Sequence, residues 1–409
     1  MAEASPTALS DYDIFSTQFR NCPYPTWAAM QRSCPVTHSD RLGGSWMVAR
    51  YDDVRDLVRD NVRLSSRSTE VGGPREFSGG LLIPPITSDP PRHQLDRDRL
   101  MPFFHPKQIA TLESDIRTLA RSLVQPLATA GHGDAATDFA QRLTITVLTR
   151  HLLDVPEEMQ PQFIDWTLRL LREGPLDQAV RTAAVREMID YFSQLLDQRA
   201  GGTGDDLISY LGRAEVEGVP LDRKTKIGSV MVVMIAGADT TWSALSAALF
   251  HLGTHPDDLQ LLVDEPELMS TAIEELLRVY APVMLARVTT DSIEVHDQQI
   301  GAGERVLLPL GAANRDPAMF DDPDAVQLDR KRNRHLTFGS GPHRCLGSPL
   351  ARLELRVALE EWLAAIPRFE VVDPAAVQWT GGSVRGPERV PFRVRTGAGT
   401  GADAEGDRP

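Results

Sequence analysis

One thiol stands where it could do chemistry. Cys345 lies in "FGSGPHRCLGSPLARLE", residues 338–354, a turn containing Gly339, Gly341, Pro342 and Gly347 that runs into a helix-like pattern. A thiol can serve as nucleophile, disulfide partner, metal ligand or inert core filler. His343, two residues away, offers a base to a nucleophile. Zinc would want several Cys or His at short spacing, and this loop has one cysteine. The glycines favour another answer. They let backbone N–H groups turn toward the sulfur, where they stabilise a thiolate and temper its electron donation. The helix starting near Gly347, with Pro349 in its first turn, aims its positive end at the same atom. The loop is therefore expected to lower the thiol pKa and hold an anionic ligand.

Three further groups of residues pair chemistry with helical spacing. In "AGADTT", residues 236–241, Gly237 costs about 1 kcal/mol of helix propensity relative to Ala. A neighbouring hydroxyl can take the carbonyl four residues back and loosen the ladder. Glu275 and Arg278 in "ELLR" share a helix face, where such a pair is by default worth about 0.2–0.5 kcal/mol. In "DPPRHQLDR", His93 and Arg97 stand one helical turn apart on one face. Cys22 and Cys34 lack any such surroundings and read as small hydrophobes.

The elements that carry these groups are mostly helical. After the strand-like "WMVAR", residues 52–62 have apolar positions at helical spacing. Residues 66–91 are rich in Gly, Pro and Ser, and a mid-chain stretch of that length is either disordered or functional. From His93 to about residue 200 the pattern is helical almost throughout, with breaks near 130–134, 154–158 and 173–177. A long helix is predicted over 222–251, then two more over 255–280, and short strands over 287–308. The last amphipathic helix, 351–366, precedes the strand-like "FEVV" and "PFRVR". No internal repeat appears and no linker divides the chain.

Composition bounds the classes. The chain has 409 residues, 42% hydrophobic and 24% charged, with a net charge of -14. Length alone suggests two or three domains, with one large domain also allowed. The acidic balance argues against nucleic-acid binding. Three cysteines without a C-x-x-C fit a reducing compartment. The N-terminal segment has no basic region followed by an apolar core, and no run of 18 or more apolar residues occurs. These features lead to the expectation of a cytoplasmic, non-membrane protein.

Residues 338–351 resemble the haem-ligand loop of the cytochrome P-450 family, F-G-x-G-x-H/R-x-C-x-G, with every defining position filled. The resemblance implies a mainly α fold with minor β, the cytochrome P-450 fold. It implies a single large domain over 10–395, between a flexible N-terminus (1–9) and a disordered tail (396–409), with haem between the long helix and the cysteine loop. Cys345 would be the proximal thiolate on the iron of haem b, favouring O–O cleavage. The long helix would bulge at 236–241 to open a groove for oxygen. There Thr240 would hydrogen-bond the oxygen and Asp239 would bring protons from solvent. His93, Arg97, Arg287 and His343 would pair with the haem propionates. Glu275 and Arg278, joined by Arg330, would hold the cysteine loop in place. The aromatic residue usual at the start of that stretch is Val326 here.

The implied activity is insertion of one oxygen atom from O2 into a hydrophobic small molecule, a secondary metabolite or xenobiotic. Family analogy draws its contacts from 66–88, from Met234, Ile235 and Ala238, from 283–285, from 166–180 and from near Val384. Electrons would come from a separate ferredoxin and ferredoxin reductase, steered by basic residues around the loop (330–335, Arg344 and Arg352). A monomer is expected. The alternatives are an atypical oxidation on the same fold (C–C coupling, desaturation, nitration) or a haem sensor.

Overall fold

The architecture is organised by the helix Arg223–Thr254, 32 residues long and started by Asp222, whose carboxylate accepts from the backbone N–H of Thr225. The helix is apolar on nearly all sides, which is stable only when other elements surround it. By length and composition it could cross a membrane, but 83% of its apolar window is buried inside the protein, so it is a core helix. The computed structural model describes residues 10–73, 82–216 and 218–395. The ends assigned from sequence as flexible, 1–9 and 396–409, and positions 74–81 of the Gly/Pro-rich stretch lie outside them.

The helical block follows the predicted order. Arg92–Phe104, Glu113–Ala130, Gln160–Leu168 and Gln178–Gln198 pack with the central helix and with Ser348–Ala365. One break was not expected. His105 is extended because Pro106 follows it, and a residue before proline disfavours the helical region. A second difference lies in the predicted break at 130–134. Gly131 ends its helix in the left-handed conformation, and His132–Asp134 then forms a strand instead of a loop. That strand completes a three-stranded sheet with Pro391–Val394 and Phe369–Val371.

The larger sheet has five strands, in the order Val36–Ser39, Ser45–Val48, Arg305–Pro309, Met284–Thr289 and Leu64–Ser65. Only the contact of Arg305–Pro309 with Ser45–Val48 is parallel; the others are antiparallel. In this sheet Arg287 lies opposite Val306. The architecture is one domain, mainly α with minor β. The sheet and the helical block present Arg287 and the helix Arg92–Phe104 to the cysteine loop.

Candidate functional site

The loop around Cys345 is a set of backbone turns that glycine makes accessible. Gly339 and Gly341 have φ of +68° and +70°. At Gly341 a side chain would also meet the Cα of Arg59 at 3.1 Å, so both conformation and space require glycine. The N–H of Cys345 donates to the carbonyl of Phe338 at 2.8 Å, and that of Gly339 to Leu336 at 2.7 Å. Gly347 then caps the helix Ser348–Ala365, and its N–H faces the sulfur.

Protein surrounds Cys345, yet the residue keeps accessible surface. Burial pushes the thiol above its ordinary value. The Gly347 N–H and the charges of Arg97, Arg344 and Arg352 oppose this without overcoming it. The expectation that the loop alone lowers this pKa is therefore corrected. Desolvation of an anion outweighs one N–H and distant cations, and a persistent thiolate here needs a cation bound directly to it.

Four cationic or potentially cationic side chains converge near that sulfur. The rings of His93 and His343 lie 4.0 Å apart between centroids. Arg97 is close enough for its charge to be felt by Cys345. Arg287 is 4% exposed, and its guanidinium donates to the neighbouring carbonyl of Ala286 at 2.8 Å. Neither Arg97 nor Arg287 has a carboxylate within ion-pair distance among the described residues. Burial lowers Arg287 to about 10, and burial together with Arg287, His93 and Arg97 drives His343 down to about 3. His93 Nε2 is buried without a partner. His343 Nε2 lies 3.1 Å from the hydroxyl of Ser66. Such a concentration of unpaired positive charge is costly unless anions enter among the cations. A ligand carrying two carboxylates and a metal for the sulfur fits these residues.

On the central helix, Asp239 is fully buried. Its Oδ1 accepts from Arg172 Nη2 at 2.7 Å and from Ser243 Oγ at 3.3 Å, while Oδ2 has no partner. Thr240 Oγ1 donates to the carbonyl of Ala236 at 2.7 Å, the back-bond that residue type and position predict. The helix nevertheless continues from Arg223 to Thr254 without interruption, so the expected bulge does not appear as a break. Gly237 has a packing reason: a side chain there would meet Leu148 at 2.9 Å. Asp239 does not reach solvent directly, while its partner Arg172 is 18% exposed.

A buried network anchors the loop. Glu275 and Arg278 are wholly buried and bond bidentately at 2.8 Å, and Arg330 Nε reaches both Glu275 oxygens at 3.0–3.1 Å. The N–H of Gln327 and the amide of Asn333 complete the coordination of that carboxylate. Burial alone would raise the Glu275 pKa, but these donors hold it below the usual carboxylate range. Arg278 also donates to the carbonyls of Asn314, Pro323 and Ala325. Val326, partly buried against the core, stands where the aromatic residue is usual.

Sequence reasoning missed several supporting residues. Asn314 clamps the loop entrance by accepting from Leu336 N–H at 2.6 Å and donating to Thr337 Oγ1 at 2.8 Å. Glu274 binds His335 and Arg352 and is held down to about 2, with hydrogen bonds from those two overriding burial. Part of the basic cluster read as a docking surface is thus internally neutralised, along with Arg330. Glu354 is fully buried and pushed well above the carboxylate range by burial, with Thr144 beside it. Nothing in the sequence separates these from ordinary surface polar residues, since their partners lie 22 to 210 positions away.

The family model described as Cytochrome P450 matches residues 180–375. "Cytochrome P450 130" from Mycobacterium tuberculosis is 37% identical over 387 residues, covering 91% of this chain and 95% of its own. "Mycinamicin IV hydroxylase/epoxidase" from Micromonospora griseorubida is 33% identical over 404 residues, covering 96% and 99%. Among solved structures, the bacillaene polyketide synthase cytochrome P450 PksS of Bacillus subtilis superposes with a TM-score of 0.85 at 29% identity. That match covers 94% of this chain and 100% of PksS.

Proposed function

Because this chain belongs to the cytochrome P450 family and is an oxidoreductase of that class, we propose that it holds haem b through Cys345 and oxygenates a hydrophobic small molecule. The observation that carries the reading is the convergence of Arg97, Arg287, His93 and His343 at the cysteine loop, with no carboxylate within ion-pair distance of either arginine among the described residues. When bound, haem supplies the activation of O2, in which two electrons and two protons send one oxygen atom to water and the other into a substrate C–H bond.

The polypeptide supplies position and protons. Arg97 and Arg287 offer fixed charge to the two propionates, and His93 and His343 each offer a ring N–H. Asp239 uses Oδ1 to bind Arg172 and Ser243, which leaves Oδ2 to take up and release a proton. The Thr240 hydroxyl, donating to Ala236, keeps its lone pairs free to accept a hydrogen bond and so orient a proton delivered to the site. Replacing Thr240 by alanine removes that acceptor but leaves binding intact. The variant should consume reducing equivalents at a comparable rate, release hydrogen peroxide, and lose product by about tenfold or more. Fully coupled turnover, measured as product per electron pair, would contradict the assignment.

The substrate class follows from the apolar faces of Met234, Ile235 and Ala238 and from Val283, bridged to Val384. The relative named for polyketide biosynthesis, PksS, supports a secondary metabolite. An acidic ferredoxin is the proposed electron donor, with Arg344 as a contact. That residue is exposed beside Cys345, whereas Arg352 is already paired with Glu274. Arg344→Glu should slow first-electron transfer at low salt by about tenfold and flatten its ionic-strength dependence, read by stopped-flow reduction. Unchanged rates would remove Arg344 from the docking surface.

The test of the whole reading is spectroscopic. The purified protein, reduced under carbon monoxide, should show the strongly red-shifted Soret band of a thiolate complex, and a hydrophobic ligand should perturb the oxidised spectrum.

A further inference from the structure

Glu70 and Arg181 form an ion pair almost wholly out of water, with side chains 9% and 3% exposed. Glu70 lies on an irregular segment, and Arg181 lies in the first turn of Gln178–Gln198, a helix capped by Asp177. The segment is fastened at both ends. At its start, Ser65 Oγ and the Ser66 N–H donate to Asp89 at 2.5 and 2.8 Å, and the Ser66 hydroxyl meets His343. At its end, Gly73 N–H donates to the carbonyl of Leu42 at 3.0 Å, and Arg305 Nη2 donates to the carbonyl of Gly73 at 2.6 Å. Between these anchors the Glu70 carboxylate crosses to the helical block.

Arg181 is itself seated against Gly174, where any side chain would come within 2.7 Å of the Arg181 Cβ. Gly174 closes the segment that carries Arg172, the partner of Asp239. The ion pair therefore joins the irregular segment beside His343 to the helical cover over the acid of the central helix. Both joined elements border site residues, one at His343 and the other at Asp239.

We propose that Glu70 and Arg181 are positioning residues that form a reversible ionic latch, governing how fast a small molecule enters and leaves the site. The proposal rests on the haem-binding reading above. The physical argument is the near balance of a buried ion pair. Desolvation of both charges offsets most of their attraction, so separating the two elements returns both ions to water at little net cost. An apolar contact of the same size would favour closure strongly, because opening would hydrate it unfavourably. A charged pair instead defines one closed geometry and still permits opening in each catalytic cycle.

A latch changes rates in a way that a ligand contact does not. If passage needs the open state, weakening the latch raises association and dissociation together and leaves affinity nearly unchanged. The probe is imidazole binding to the oxidised holoenzyme, followed by stopped-flow through the Soret shift. Glu70→Gln, which leaves Arg181 buried without its partner in the closed geometry, should raise both rate constants by about tenfold or more with less than a twofold change in Kd. Hydrogen exchange should quicken in the amides of 66–72 and 178–184. The charge-swapped double variant Glu70→Arg/Arg181→Glu should restore slow exchange relative to either single change.

Unchanged exchange of 66–72 in Glu70→Gln overturns the latch, as does a change in Kd carried by dissociation alone. The exchange readout does not require haem. A missing thiolate band in the wild type therefore counts against the haem reading, while unaltered protection counts against the latch.

Discussion

Cys345→Ala protein, reduced under carbon monoxide, will lack the strongly red-shifted Soret band that the wild type displays, and oxygenation will fall to background. The substitution removes the sulfur and little else. Cys345 joins the loop through its backbone N–H to Phe338, which alanine retains, and the turns at Gly339 and Gly341 are set by backbone conformation. Arg97, Arg287 and the two histidine N–H groups remain, so a porphyrin can still enter and be held by its carboxylates. Loss of the band with retained haem absorbance would separate ligation from folding. A variant that kept the band would mean that another residue supplies the anion, and the assignment of Cys345 would fall. The unliganded thiol adds a second handle. Burial raises its pKa, so the protein without haem should present Cys345 mainly as the neutral thiol at pH 7, slow toward thiol reagents for its accessibility.

Glu275→Gln is expected to destabilise the folded protein by about 3–5 kcal/mol, the cost of removing one partner from a buried ion pair. The amide can accept some of the same hydrogen bonds, but it cannot balance Arg278, which is wholly buried, or Arg330. Arg278 holds three carbonyls of the irregular stretch that leads to the cysteine loop, so the loss should extend to haem retention. Denaturant unfolding and haem release to an acceptor globin measure the two effects. The pH dependence has a definite sign. The folded-state pKa of Glu275 lies below its unfolded value, so its stabilisation is complete above about pH 4.3 and fades as pH falls below it. The gap between wild type and variant should therefore be widest near neutrality and narrow in acid. A gap independent of pH would show that packing, not charge, is what Glu275 contributes.

These two residues differ in how visible they are in the chain. Cys345 and its glycines are adjacent, so their relation is written in a single turn, as are the helical pairs His93 with Arg97 and Glu275 with Arg278. Arg330 could be placed only through the family pattern, and its contact with Glu275 depends on an irregular path that no periodicity describes. The strand His132–Asp134 looks like a break in the chain because its partner lies more than 250 positions away. Gly237 suggested a groove, and the structure gives it a neighbour, Leu148, on another helix.

The helical periodicities, the glycine turn around one thiol and the acid–alcohol pair are legible in the chain, because each depends on residues within a few positions of one another. Tertiary structure alone decided which charges are paired. Asn314, Glu274 and Arg172 found partners from distant segments, while among the described residues no carboxylate reaches ion-pair distance of Arg97 or Arg287. It also decided the direction of the Cys345 pKa, since desolvation depends on everything packed around a group and not on its neighbours in the chain.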